Sequence, residues 1–202
     1  MGTWASFTAE LRTWLADSGA QKFTEAELYG YCRRATIDLS LRLPKIVVDA
    51  VSVAGGVASM PEDWLGTPSL IVAVDSTVLK PARTLPVAAG SWLLIGGTLS
   101  IGTVKTAATL TYEARYECPE EYDADEEVDV PDVDQECIFW YASGLAIGRE
   151  AGEDSSLSRW SDKKRDDSPL LPEHRWRFLR YLDCVNLRRT TRAQLDTRAL
   201  YG

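Results

Sequence analysis

The chain has one histidine, His174, in 202 residues. A hydrolytic triad needs an imidazole poised on a nucleophile, and no serine or cysteine nucleophile stands beside His174 in sequence, so such a site is left to tertiary proximity alone. Cysteine is scarce as well: Cys32, Cys118, Cys137 and Cys184 are far apart and form no Cys-x-x-Cys pair. That excludes the usual signatures of a structural zinc site or a thioredoxin-like motif and predicts buried free thiols. No stretch approaches the ~18 consecutive apolar residues of a membrane span, and the N-terminus lacks a basic start followed by an apolar run; the expectation is a soluble, unsecreted protein. The first residues, Met1 to Ser6, formally match a myristoylation signal, a pattern short enough to arise by chance. No Gly-Lys-Ser/Thr follows Gly96, Gly97 and Gly102, so neither a phosphate-binding loop nor a dinucleotide fingerprint is present, and no cofactor is expected.

Basic residues are missing altogether between Glu117 and Glu136, where Glu120, Glu121, Asp123, Asp125, Glu126, Glu127, Asp129, Asp132 and Asp134 fall. Asp123, Asp125, Glu127 and Asp129 alternate as ligands of a calcium loop do, but Val128 stands where the obligatory glycine belongs, after the third ligand, so the stretch reads as a solvated acidic loop and no metal site is expected. From Glu173 onward the balance reverses. Arg175, Arg177, Arg180, Arg188, Arg189, Arg192 and Arg198 face only Glu173, Asp183 and Asp196, so a net −8 chain ends in a segment of +4 and carries −12 elsewhere. The acidic body repels nucleic acid, whose binding draws on Lys and Arg at phosphates; the arginines suit an acidic partner through bidentate contacts, or form a solvated helix face.

The periodicity changes twice. Phe7, Leu11, Trp14 and Leu15 predict a helix over 6–17. Thr24 and Glu27 then form a capping box for a second helix whose buried stripe is Leu28, Cys32, Ala35 and Leu39, ending before Pro44. From Ile46 the apolar runs are short and separated by Gly, Pro and Asp, as in a small antiparallel sandwich or barrel. Asp49 interrupts the first of these strands, Gly96-Gly97 marks a two-residue hairpin, and the last strand alternates Leu110, Tyr112, Ala114 and Tyr116 with Thr109, Thr111, Glu113 and Arg115. After Pro131 the helical period returns in Ile138, Tyr141, Ala142 and Leu145, with Gly144, Ala146 and Gly148 open to a close neighbour. Further helices are predicted over 155–166 and 173–189. The 45% hydrophobic content suffices for a core. The class is α+β: a helical bundle from 1–44 and 131–190, a β-sandwich insertion over 45–118, an acidic loop over 119–130 and a C-terminal tail over 191–202.

The order of these elements carries a resemblance. Two N-terminal helices with a Thr-Glu-Ala-Glu-Leu opening at Thr24, a β insertion containing Met60-Pro61-Glu62-Asp63-Trp64, a closing strand from Leu110 to Tyr116 with Pro119 after it, and an acidic turn through Val130-Pro131 into an aromatic and alanine-rich helix resemble the head-to-tail connector adaptor proteins of tailed bacteriophages. They are similar in particular to podovirus-like adaptors, whose helical bundle carries a β-sandwich. The resemblance implies a structural virion protein, not an enzyme: a ring, twelvefold to match the portal protein, that is built in the host cytoplasm, sits in the virion neck, extends the DNA channel without binding DNA specifically, and meets tail or nozzle proteins. It implies a portal-gripping C-terminal segment, for which Trp176, Arg188, Arg189, Arg192 and Arg198 are the candidates here, and inter-subunit contacts, for which Arg33 and Arg34 on the exposed side of the second helix are the candidates. A stopper or tail-completion protein sharing the β core is the alternative in the same class. A small-ligand-binding domain or hydrolase is the alternative in another, and requires a polar pocket that the sequence does not display.

Overall fold

The computed structural model describes residues 2–67, 69–102, 106–153 and 170–201, without the side chains of 151–153, 170–172 and 193–201. The helix expected over 155–166 lies outside the described residues. The chain divides into two compact units, Met1–Leu43 with Tyr116–Gly202, and Pro44–Arg115. The class is α+β, with helices from both ends of the chain and a two-sheet, largely antiparallel β insertion between them.

In the helical unit, α1 (Trp4–Trp14) is capped by Thr3, whose hydroxyl accepts the Ser6 N–H at 3.4 Å. The next orphan donors, the N–H groups of Trp4 and Ala5, go to the carbonyls of Glu126 (3.0 Å) and Ala124 (3.1 Å). The acidic stretch is therefore strapped across the positive end of a helix that has no acidic residue in its own first turn. It is not simply a solvated loop: Val128 and Val130 are fully buried, two residues apart, while their carboxylate neighbours point outward or lie half-buried. Between α1 and α2 (Glu25–Arg42), the buried Asp17 accepts the N–H groups of Gln21, Lys22 and Phe23 and pairs with Arg12, which also reaches Glu25 at 2.8 Å. The Thr24–Glu27 capping box is complete, and Leu28, Cys32, Ala35 and Leu39 are fully buried. Each buried leucine contributes about 2 kcal/mol of transfer free energy.

The third helix, α3 (Asp132–Glu153), lies against the other three helices and buries Cys137, Ile138, Ala142, Ser143 and Ala146 completely. α4 (Leu170–Tyr201) packs along it. An added Cβ at Gly148 would stand 2.7 Å from the His174 ring, and one at Gly144 would be in contact with Phe178, so glycine sets how closely the two helices approach. α4 continues to Tyr201, into the 191–202 stretch where a separate tail was expected, because no glycine or proline interrupts it between Pro172 and Gly202. Cys32 is a buried free thiol as expected and Cys118 a free thiol that is only half-buried, but Cys137 and Cys184 form a disulfide between α3 and α4 with their Cα atoms 5.7 Å apart. They are 47 residues apart in sequence, so only the packing of the two helices reveals the pair.

In the β unit, β1 (Lys45–Ser52), β3 (Ile71–Val74), β4 (Thr77–Val78) and β8 (Ala107–Ala114) form one sheet in the order β1-β8-β3-β4. β2 (Val57–Ser59), β5 (Lys80–Pro81), β6 (Ser91–Ile95) and β7 (Thr98–Ile101) form the other in the order β2-β7-β6-β5, with only β5 and β6 parallel. Val72, Leu99, Leu110, Tyr112 and Ala114, drawn from both sheets, are buried together. Gly96 and Gly97 make the hairpin with φ of 58° and 79°, as a two-residue turn demands. Asp49 does not interrupt β1: the strand runs through it, and its carboxylate accepts the Ala50 N–H at 2.7 Å on a strand that has a ladder partner on one side only. A charge placed there protects an edge. The Met60 to Trp64 segment is tied to the end of β8, with the Tyr112 hydroxyl on Asp63 and the Arg115 N–H on the Asp63 carbonyl.

Two outcomes follow for stability. Closing a loop of 47 residues is worth up to about 4 kcal/mol in the chain-entropy account. Cys184→Ser is expected to lower the urea-unfolding free energy by about 2–4 kcal/mol, and reductant should lower the wild type equally while leaving the variant unchanged. Burial alone would raise the Asp17 carboxyl, but the N–H groups of Lys22, Gln21 and Phe23 and the Arg12 charge outweigh it and hold the group below its ordinary 3.8. A depressed carboxyl stabilises the fold above the unfolded value and loses that contribution as the pH falls through the folded one. Urea melts from about pH 6 to 2 should therefore show the margin of wild type over Asp17→Asn constant down to about pH 4 and shrinking below it.

Candidate functional site, an interaction surface on the helical unit

Among the described residues no group of three or more His, Cys, Asp and Glu side chains is placed to hold a metal ion. His174 is engaged in structure: its Nδ1 lies 2.6 Å from the Gly144 carbonyl and its ring meets Phe178 edge to face. The informative surface is that of α4. Its inner side buries Tyr181 and Val185, and Tyr181 donates to Asp38 at 2.5 Å beneath the Arg42 guanidinium. Burial and that hydrogen bond hold the Tyr181 phenol far above its ordinary value. Its outer side leaves Trp176, Leu179, Leu182 and Leu187 exposed by 46, 60, 39 and 62%. These positions do not share a single helical stripe: Trp176 and Leu187 line a groove of about 410 Å³ against α3, with Trp140, Arg180 and Asp183, while Leu179 and Leu182 lie outside it.

The arginines expected to dock a partner divide by environment. Arg192 donates to Asp134 at 2.5 Å and to the Tyr116 hydroxyl at 2.9 Å, joining α4 to the start of α3 and to the first residue of the segment that returns to the helical unit. Arg188 approaches the other Asp134 oxygen at 3.9 Å, beyond hydrogen-bond range. Asp134 is 1% exposed, so these side chains hold the bundle together. Arg189 donates Nε to the Arg42 carbonyl at 2.9 Å and is otherwise exposed. Trp176 meets Trp140 edge to face and lies under Arg180, whose guanidinium carbon is 5.4 Å from the ring. Arg198 is on α4, its side chain outside those described.

The candidates on α2 border a second groove, of about 480 Å³, between α2 and the acidic stretch. Arg33 donates Nε to the Pro119 carbonyl at 2.9 Å, which Tyr29 also engages through its hydroxyl; burial pushes that phenol up to about 12. Arg34 is exposed on the groove wall, with Gly30 and Ile37 beside it and Glu120, Glu121 and Tyr122 opposite. Leu41, 67% exposed, extends the apolar strip. Sequence periodicity identified the buried side of α2 but not this groove, because its second wall belongs to a segment about 90 residues away, a separation bridged by the Tyr29 bond to Pro119.

No family model matches the chain, and no curated protein matches it.

The Asp134 contact makes a sharp expectation. Removing the carboxylate leaves two arginines without the buried charge they face, so Asp134→Ala should lower the urea-unfolding free energy by about 2–3 kcal/mol, the worth of hydrogen bonds to a charged group, whereas Arg189→Ala should change it by less than about 0.5 kcal/mol.

Proposed function

We propose that this chain is a structural head-to-tail connector adaptor of a tailed bacteriophage, a ring-forming neck protein that joins portal and tail and is not an enzyme. The observation that carries this reading is the combination of one compact helical unit built from both chain ends, a two-sheet insertion between them, and a terminal 32-residue helix that presents exposed Trp176, Leu179 and Leu187 among arginines. That is the order of elements on which the sequence resemblance rests. A helix of this length spans about 48 Å, enough to reach beyond the 22-residue α3 it packs on. Exposed aromatic and leucine side chains beside arginine are the composition of protein interfaces, and the acidic stretch disfavours a nucleic-acid partner for that part of the surface. In this reading the partners are further copies of the chain, the portal and the tail or nozzle proteins, and the protein resides in the virion neck, with DNA passing through the ring unbound.

The test is quantitative mass spectrometry of nuclease-treated particles of the virus that encodes the chain. Copies equal to those of the portal subunit are expected, and absence from particles would overturn the reading.

A further inference from the structure

We propose that the outer face of α4 in one copy docks into the groove between α2 and the acidic stretch of the next copy, so that the chain self-associates head to tail; this contact deepens the adaptor reading and rests on it for its purpose, while its physical case rests on the two faces.

The groove has a feature that no described residue of the same chain explains. Gly30 stands in the interior of the 18-residue α2, where glycine is less favourable than alanine by roughly 1 kcal/mol. A Cβ there would meet nothing within 4 Å, and its backbone is not in the left-handed region. Among the described residues neither internal packing nor a turn accounts for it, in contrast with Gly144 and Gly148, which α4 covers. An uncovered glycine on a groove floor lets a foreign side chain approach the helix backbone closely. Ile37 and Leu41 continue the floor as exposed apolar surface. On the other face, Trp176, Leu179 and Leu187 supply large apolar side chains of the kind that fill such a groove.

Charge selects which faces meet. The far wall of the groove carries Glu120 and Glu121, within a stretch free of Lys and Arg. The exposed face of α4 carries Arg175, Arg180 and Arg189. The groove also carries Arg33, held on the Pro119 carbonyl, and the exposed Arg34, and α4 carries Asp183. A two-fold pairing of α4 with α4 would set an arginine excess against itself. Pairing α4 with groove sets opposite charges together, and that contact is heterologous. Both faces belong to one compact unit, so every copy presents both, and the assembly closes into a ring if the rotation closes and extends if it does not.

The test uses the full-length chain, with its assembly state read by sedimentation velocity over a range of concentrations. Wild type is expected to form species larger than a monomer. Glu120→Arg with Glu121→Arg, and separately Arg175→Glu with Arg180→Glu, should each sediment as monomers with unchanged circular dichroism. An equimolar mixture of the two should regain assembly, since each α4 then meets a groove of opposite charge. Gly30→Gln guards against misfolding: its thermal midpoint should lie about 3 °C above that of the monomeric charge variants through helix propensity, and it should still abolish assembly. Wild type that stays monomeric, single-sided variants that assemble normally, or a mixture that stays monomeric would each overturn the contact. Portal-equal copies in particles together with any of those results would remove this interface and leave the adaptor reading standing; the swap pattern as expected with no copies in particles would do the reverse.

Discussion

The helical unit depends on the burial of α3. Its Cys137, Ile138, Ala142, Ser143 and Ala146 have no exposed surface, and each of the other helices uses α3 as its wall. A helix enclosed in this way needs small residues where neighbours come closest, and Gly144 and Gly148 occupy the positions under Phe178 and His174. Their cost in helix propensity is offset by the contact they permit. Around this seam the aromatic rings interlock: Phe7 and Trp14 on Phe139, Trp14 and Trp176 on Trp140, and Phe178 and Tyr181 on Tyr141. The edge-on contacts among these, at Trp140 and Tyr141, fix relative position as well as burying area.

Long-range polar ties then set where the enclosed helix begins and how α4 lies on it. Asp134, almost without solvent, receives Arg192 and is faced by Arg188, while the Cys137–Cys184 bond holds the same pair of helices one turn further along. The acidic stretch contributes in the same way, because its carbonyls complete the N-terminus of α1 and its two valines enter the core. Charged residues counted as a partner signal in the sequence thus serve two ends. Some satisfy groups inside the unit, and the remainder, with the uncovered apolar side chains of α2 and α4, are what the surface offers to other molecules.

Much of the local structure was legible. The Thr24–Glu27 box, the Gly96-Gly97 turn and the alternation along β8 each rest on interactions within a few residues, and each stands as its pattern indicated. The misreadings came where a single propensity was outweighed by its setting. Asp49 looked like a break in β1 because strands disfavour aspartate, yet at an edge the carboxylate can accept a main-chain donor. The end of the last helix was placed at Arg189 because the apolar period fades there; the polar continuation keeps helical backbone because nothing in it opposes a helix. Of the site, the arginines were visible as a charge excess, but which of them Asp134 and the Arg42 carbonyl occupy was not.

By itself the sequence determined the α+β class, the caps, the turns, the buried stripes and the separation of acidic from basic segments, because these follow from backbone stereochemistry, short-range hydrogen bonds and the periods of helix and strand. Only the tertiary structure decided that Cys137 meets Cys184, that Val128 and Val130 are core, that Arg192 is tied to the buried Asp134 while Trp176 is left exposed, and that Gly30 is covered by none of the described residues. Those outcomes depend on which surfaces packing brings together across long stretches of chain, and a one-dimensional pattern does not specify the partner of a side chain, only the kind of partner it needs.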